Sequence, residues 1–397
     1  MKSLGAVLDG RKGLGPGFDF LRIFLASSIV LTHAFLHTQQ AAFEASHFWF
    51  AEYALVPMFF ALSGFLVAGS AMRLSLGNFL INRSLRILPA LAVDVVVCAL
   101  IIGPIVTTVP LGSYFTDPWF FRYFLNVTGW IHYDLPGVFR THANIRVNGA
   151  LWTVPYEMGC YAIMSGLMLT RWVTKPKMVA AFAVFLLVAG LASEKFAPHS
   201  GIVGPVLRDF FVERGGQLLL AFVLGILAYQ LRHHIPYSPA IAAACVAICI
   251  VGIFAMNMGS LTRVPNRIIF IPALVYLTAF LGLTPIPLPK IFHTGDYSYG
   301  VYLYHDPLLQ VIIGLFPALV AAPGYGSIIL FAMGLPAVAL LATFSWHVIE
   351  KPILGLRKKF SFVARVRGVE GPGESLVNAP PQAAATDDGY VADSAPG

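Results

Sequence analysis

Apolar residues in this chain occur in long, nearly unbroken runs, not with the alternation of a half-buried strand or the narrow stripe of a surface helix. Runs near the ~20 residues that cross a bilayer as a helix fall at about 18–36, 49–68, 87–109, 148–169, 178–193, 216–231, 239–258, 267–283, 298–319 and 327–349. The pattern predicts an all-α polytopic membrane bundle of about ten transmembrane helices, because a helix satisfies its own backbone in lipid. Residues 110–147 form the longest connection and carry Trp119, Phe120, Trp130 and Tyr133 among their aromatics. Such a segment is expected to be ordered, lying on the membrane interface or stacking on a sugar face. It includes Asn126-Val127-Thr128, which matches the N-glycosylation triplet. Beyond 368 the chain turns to Ala, Pro, Gly, Asp and Ser, the composition of a disordered tail. The expected organisation is an N-terminal segment 1–17, a membrane domain 18–352, and a basic stretch with tail 353–397.

Composition narrows the class. Hydrophobic residues make up 57% of the chain and charged residues 11%, against roughly 25% charged in soluble domains. A soluble enzyme, a disordered chain and a disulfide-stapled secreted domain are therefore excluded. The formal charge of +7 reflects basic loops. With the N-terminus in the cytoplasm, about two-thirds of the Lys and Arg fall in inner segments, so both termini are expected in the cytoplasm and the chain in the plasma (inner) membrane. No basic stripe with interleaved aromatics points to nucleic acid. Cys98, Cys160, Cys245 and Cys249 all lie in apolar runs, and no His or carboxylate joins the Cys245–Cys249 pair at ligand spacing. They are expected to be small core residues, and no metal site is expected. No signal peptide is expected, since the first run contains Arg22 and His33 and lacks a small-residue cleavage pattern.

Ionisable groups inside the membrane are expensive, so each is a functional candidate. They are Asp19, Arg22, His33, Asp94, Glu157, His305, Asp306 and His347, with Arg83, Arg86 and Glu350 at run edges. Arg22 and His33 are separated by ~1100° of helical rotation, ~20° past three full turns, so they share a face ~16 Å apart along the axis. Read singly, Arg22 could be a snorkelling arginine paired with Asp19, and His33 a satisfied buried histidine. Arg83 and Arg86, three apart, also share a face and could clamp a phosphate. Glu157 is expected ~13 Å from the outer edge, level with His33. There it could orient the imidazole as in general-base pairs, or form a structural ion pair. Asp94 stands alone in an apolar run and needs a partner. His305 is either a packing histidine or part of the site. Trp152 and Tyr156, beside Glu157, are candidates with His305 for substrate binding.

Several segments resemble the acyltransferase-3 family of integral membrane O-acyltransferases. They are Phe18-Asp19-Phe20-Leu21-Arg22 with His33 after it, Val56-Pro57-Met58-Phe59-Phe60 through Leu66, and Arg83-Ser84-Leu85-Arg86. They continue with Leu151-Trp152-Thr153 through Glu157, Ser298-Tyr299-Gly300-Val301-Tyr302-Leu303-Tyr304-His305, and Ser345-Trp346-His347 through Pro352. The resemblance implies transfer of an acyl group, with acetyl favoured, from cytoplasmic acyl-CoA to a hydroxyl of a cell-surface or lipid-linked carbohydrate. Many family members add an extracytoplasmic esterase-like domain. Here only basic and tail sequence follows Pro352, so acceptor handling is expected to fall to the membrane part or a partner.

The spacing gives this expectation physical content. A pantetheine arm matches four or five extended residues, roughly 15–18 Å. An acyl-CoA held at Arg22, Arg83 and Arg86 could therefore present its thioester at His33. His33, oriented by Glu157, would take the proton of the acceptor hydroxyl as it attacks; an acyl-histidine is the other route. Acyl-CoA, with acetyl-CoA favoured, is expected as co-substrate with no permanently bound cofactor, and the carbohydrate acceptor and the bilayer as partners. The competing readings are a transporter or flippase for a lipid-linked or small substrate, weakened by the absence of an internal repeat, and a non-catalytic membrane subunit.

Overall fold

The structure is a computed structural model that describes residues 1–356 apart from 12, 14, 198–202, 256–262, 288, 290–294 and 323. The expected tail lies outside the described residues. Among the described residues the chain is helical, and its one β feature is an isolated bridge between Ser3 and Pro236. The long helices are α1 (Phe18–Ala45), α2 (Trp49–Ala71), α3 (Leu76–Val97), α4 (Val154–Leu169) and α5 (Pro176–Phe196). They are followed by α6 (Arg214–Gln230), α7 (Pro239–Ala255), α8 (Val264–Leu283), α9 (Tyr297–Leu315) and α10 (Gly326–Ser345).

Among the described residues six helices are long and apolar enough to cross a membrane, or seven if the bent pair Val203–Val212 and Arg214–Gln230, meeting at 48°, makes one span. The protein is a multi-pass all-α membrane bundle. The expected figure of about ten is not reached on length and apolarity alone, for three local reasons. Helix α4 has 16 residues because the run that predicts it begins outside regular α-helix. Helix α7 has 17 described residues. Helix α9 is diluted by His305, Asp306 and Gln310, all fully buried.

Close helix approach holds the bundle. A Cβ on Gly64 would overlap the Phe222 carbonyl, and one on Gly225 the Ala61 carbonyl. Backbones of α2 and α6 therefore meet where only hydrogens fit, the usual solution in lipid, where apolar burial drives little association. The buried side chains form two clusters. One is built mainly from α2, α4, α5, α6, α7 and α8. The other is built from α3, α9, α10 and the 110–147 segment. Helix α1 belongs to both: Leu21, Leu25 and Ile29 face the first, and Ala26, Val30 and Ala34 the second. Polar groups on α1 thus sit at the seam between them.

The long connection is ordered, as its aromatics imply. It contains short helices Leu111–Thr116 and Pro118–Tyr123 and a 3-10 turn Phe124–Thr128. Tyr114 and Tyr123 are fully buried, and the Tyr114 hydroxyl donates to the Ala99 carbonyl at 2.8 Å. Trp119 and Trp130 stay exposed. Asn126 is fully buried, its amide donating to the His132 carbonyl at 2.9 Å and accepting from the His132 N–H at 2.7 Å. The glycosylation triplet is thus part of the packing and out of reach of modification.

Candidate active site

The seam holds a cluster of three imidazoles around one carboxylate. His33 and His37, one helical turn apart, project from the same face of α1. The Nδ1 of His33 and the Nε2 of His37 lie 3.0 Å and 2.6 Å from the same oxygen, Oδ1 of Asp306 on α9. The other carboxylate oxygen accepts the backbone N–H of Gly149. A carboxylate only accepts, so each histidine carries its proton on the nitrogen facing Asp306. That leaves Nε2 of His33 as the lone-pair nitrogen. Side chains of His37 and Asp306 are 2% and 0% exposed and that of His33 is 19% exposed, so of the three His33 is the one a substrate can reach.

His305 stands edge-on to His33, with ring centroids 4.5 Å apart. Its Nδ1 donates to the Tyr302 carbonyl at 2.5 Å, which fixes the tautomer. Its Nε2 is then an acceptor, buried and without a partner among the described residues. Ligand atoms of His33, His305 and Asp306 lie within 4.8 Å of one another. His33 and Asp306 bond directly to each other, so the group as it stands is a hydrogen-bonded relay.

Sequence explains why the loop reaches so deep. Pro307 has no N–H, so the Leu303 carbonyl loses its helical partner. Asn148 fills the gap: its Nδ2 donates to Leu303 O at 2.9 Å and to Asp94 Oδ2 at 2.9 Å, while its Oδ1 accepts from the Ala150 N–H at 2.9 Å. This supplies the partner that Asp94 needs. Gly149 sits between these contacts, and a Cβ there would stand 3.0 Å from Asp306 Oδ2. Further out, the Gln310 amide oxygen accepts from His142 Nδ1 at 2.7 Å and its NH2 donates to the Asn144 carbonyl at 2.6 Å, pinning the same loop to α9.

A second polar group lies toward the N-terminal ends of α1, α3 and α9. Asp296, just before α9, pairs with Arg86 and lies 3.9 Å from Arg22, which also keeps Asp19 at 3.6 Å. Burial alone would raise the Asp296 carboxyl, but Arg86 and Arg22 outweigh it and hold it at about 2. Arg83 shares the face of Arg86, lying 6.0 Å over the Phe79 ring and against Tyr161. From Asp296 to Asp306 the axial distance along α9 is ~15 Å, close to the ~16 Å between Arg22 and His33 on α1.

The expected Glu157–His33 contact is replaced. The carboxylate on His33 is Asp306, and the charged neighbour of Glu157 is Arg86. The depth estimate for Glu157 assumed a helix from 148. The chain instead enters the bundle through the 3-10 turn Gly149–Thr153, and Glu157 falls in the first turn of α4, below the histidines. Trp152 is half-buried with the Arg214 guanidinium 5.6 Å over its ring, and Arg214 also lies 4.7 Å over Tyr53. Tyr156 is buried against Phe210, ring centroids 5.3 Å apart. His347 is displaced from the cluster and bonds the Tyr297 hydroxyl at 3.1 Å. Sequence reasoning passed over His37 and Asn148. Both left a signal: His37 is at i+4 from His33, and Pro307 implies an orphan carbonyl seeking a donor.

Residues 16–347 match the acyltransferase domain family, a range that contains every group just described. The chain is 27% identical to Nodulation protein 10 of Rhizobium leguminosarum bv. viciae, over 91% of this chain and 99% of that one. It is 26% identical to an O-acetyl transferase of Shigella phage Sf6, over 85% and 95%, and 22% identical to the exopolysaccharide production protein ExoZ of Rhizobium meliloti, over 79% and 93%. No solved structure matches. With the family model covering most of the chain and its paired-arginine and histidine segments meeting in one seam, this protein belongs to the acyltransferase domain family and is a membrane O-acyltransferase.

Proposed function

We propose that the protein moves an acetyl group from acyl-CoA, bound at its basic end, to a hydroxyl of a cell-surface or lipid-linked carbohydrate arriving from the opposite side, with His33 as general base. The observation that carries this reading is the His33–Asp306 pair: it leaves the accessible His33 with a bare Nε2 at the depth a pantetheine arm can reach from the arginines. Arg22, Arg83 and Arg86 offer guanidiniums to the CoA phosphates. Two relatives named for O-acetyl transfer and exopolysaccharide production support acetyl and carbohydrate.

In this mechanism the acceptor hydroxyl gives its proton to Nε2 of His33 as its oxygen attacks the thioester carbonyl. Asp306, held by His37 and the Gly149 N–H, keeps the imidazole in place and stabilises the imidazolium that forms. The carbonyl re-forms, the carbon–sulfur bond breaks, and the thiolate recovers the proton from His33. His305 is fully buried beside His33, so it backs the reacting imidazole and does not meet the sugar as the sequence suggested. Trp152, half-buried in the turn after Gly149, shapes the acceptor's approach, and Tyr156, buried with its ring 5.9 Å from that of Trp152, backs it. Helix termini with basic loops fit a cytoplasmic placement of the arginine end in the inner membrane.

The test is release of free CoA from acetyl-CoA by the purified protein in detergent, wild type against His33→Ala. Slow release by the wild type, lost in the variant while acetyl-CoA still binds, is the expected result. Equal release by both proteins would remove His33 from the chemistry. Absence of acetyl-CoA binding by the wild type would overturn the donor assignment.

A further inference from the structure

We propose that Asp94 and Asn148 form a lock that presses the Gly149 N–H onto Asp306, making Asp94 a positioning residue for acyl transfer although it touches no histidine. The inference rests on the reading of His33 and Asp306 as the reacting centre.

Asp94 is 1% exposed and sits on α3 among apolar residues, where an unpaired carboxylate is costly. Its Oδ2 accepts from Asn148, and its Oδ1 faces the Cys98 thiol at 3.8 Å. Asn148 is itself fully buried and uses every polar atom of its side chain: both amide hydrogens go to Asp94 and Leu303, and the oxygen takes the Ala150 N–H. An amide satisfied on three sides has one orientation. The lock thus ties three separate elements, α3, the 3-10 turn and α9, at one point. The next residue along the turn is Gly149, whose N–H meets Asp306.

The consequence is chemical. Asp306 would otherwise have a free oxygen able to rotate away from the α1 histidines or to draw in water. With the Gly149 N–H fixed, one oxygen is committed to the loop and the other to His33 and His37. Gly149 is the first residue of the 3-10 turn, so its N–H has no acceptor within the turn; its placement depends on the capping Asn148, and that of Asn148 on Asp94. The anchor atom needed at 94 is an acceptor oxygen. Asn at this position keeps one, whereas Leu keeps the volume and removes it.

The experiment uses full-length protein in detergent with acetyl-CoA as probe, following kcat and KM for CoA release in Asp94→Leu, Asp94→Asn and Asn148→Ser, with Asp306→Asn and His33→Gln as references. A misplaced reacting group costs ~10- to ~100-fold in rate. We expect that loss in kcat for Asp94→Leu and Asn148→Ser with KM for acetyl-CoA unchanged, and recovery of most of the kcat in Asp94→Asn. If Asp94→Leu does not fold, Asn148→Ser and Asp94→Asn carry the comparison. Wild-type kcat in Asn148→Ser beside an inactive Asp306→Asn would overturn the lock and leave the reacting centre standing. A deficit in Asp94→Asn as deep as in Asn148→Ser, or a change confined to KM, would also overturn it. Full activity in Asp306→Asn and His33→Gln would overturn the underlying reading, and the lock with it.

Discussion

Replacing Asp306 by Asn tests the account at its centre, because it keeps size and shape while changing which atoms can accept. The carboxylate accepts three N–H groups, from His33 and His37 on one oxygen and from Gly149 on the other. An amide has a single oxygen. Turned toward the histidines, it sets its NH2 against the Gly149 N–H. Turned toward Gly149, it sets its NH2 against both imidazoles and drives His33 to the tautomer with its proton on Nε2, where the hydroxyl proton must go. Either way a charge-assisted bond worth ~1.5–3 kcal/mol is lost and a buried N–H is left unmet, at ~1–3 kcal/mol more. The lower end of the sum, ~2.5 kcal/mol, is ~70-fold in kcat. The arginine cluster lies ~15 Å away along α9, so KM for acetyl-CoA should not move. The assay is steady-state CoA release by monodisperse protein with a normal thermal midpoint. A kcat within about threefold of wild type would refute the reasoning, since no tautomer fits both faces of an amide.

Other expectations follow from the same geometry. Arg86→Ala should raise KM for acetyl-CoA ~10-fold or more with kcat little changed, the effect of losing one charge-assisted phosphate contact, and titrating initial rates against acetyl-CoA checks it. Gly149→Ala should cut kcat, because its Cβ would stand 3.0 Å from Asp306 Oδ2, whereas Gly166→Ala, with nothing within 4 Å, should be silent in the same assay. Arg267 is 2% exposed and donates to the Phe211, Val212 and Glu213 carbonyls where the bent pair turns. Arg267→Met should therefore destabilise the fold by ~2–4 kcal/mol, read as a lowered thermal midpoint in detergent.

Much of this architecture is legible in the chain, and the gaps have physical causes. The apolar runs give the helices because lipid leaves the backbone no other solution. The shared face of Arg22 and His33 follows from helical rotation alone, and the structure keeps both on α1 with Arg22 against Asp19. The partner of His33 does not follow. Asp306 lies on α9, and only tertiary packing decides whether it or Glu157 reaches α1. The depth of Glu157 does not follow either, because periodicity alone does not separate a 3-10 entry turn from the helix after it. Asp94 was visible as a charge without a partner, and Pro307 as a helix break. That Asn148 answers both required the turn to be seen folded against α9.

The most direct measurement is the O-acetyl content of surface polysaccharide in cells that lack the chain and receive either the wild-type protein or His33→Gln at equal membrane abundance. The account predicts restored acetylation with the wild type and none above background with His33→Gln. Acetylation restored by both would contradict the assignment of His33 as the base, and acetylation restored by neither would contradict a carbohydrate hydroxyl as acceptor.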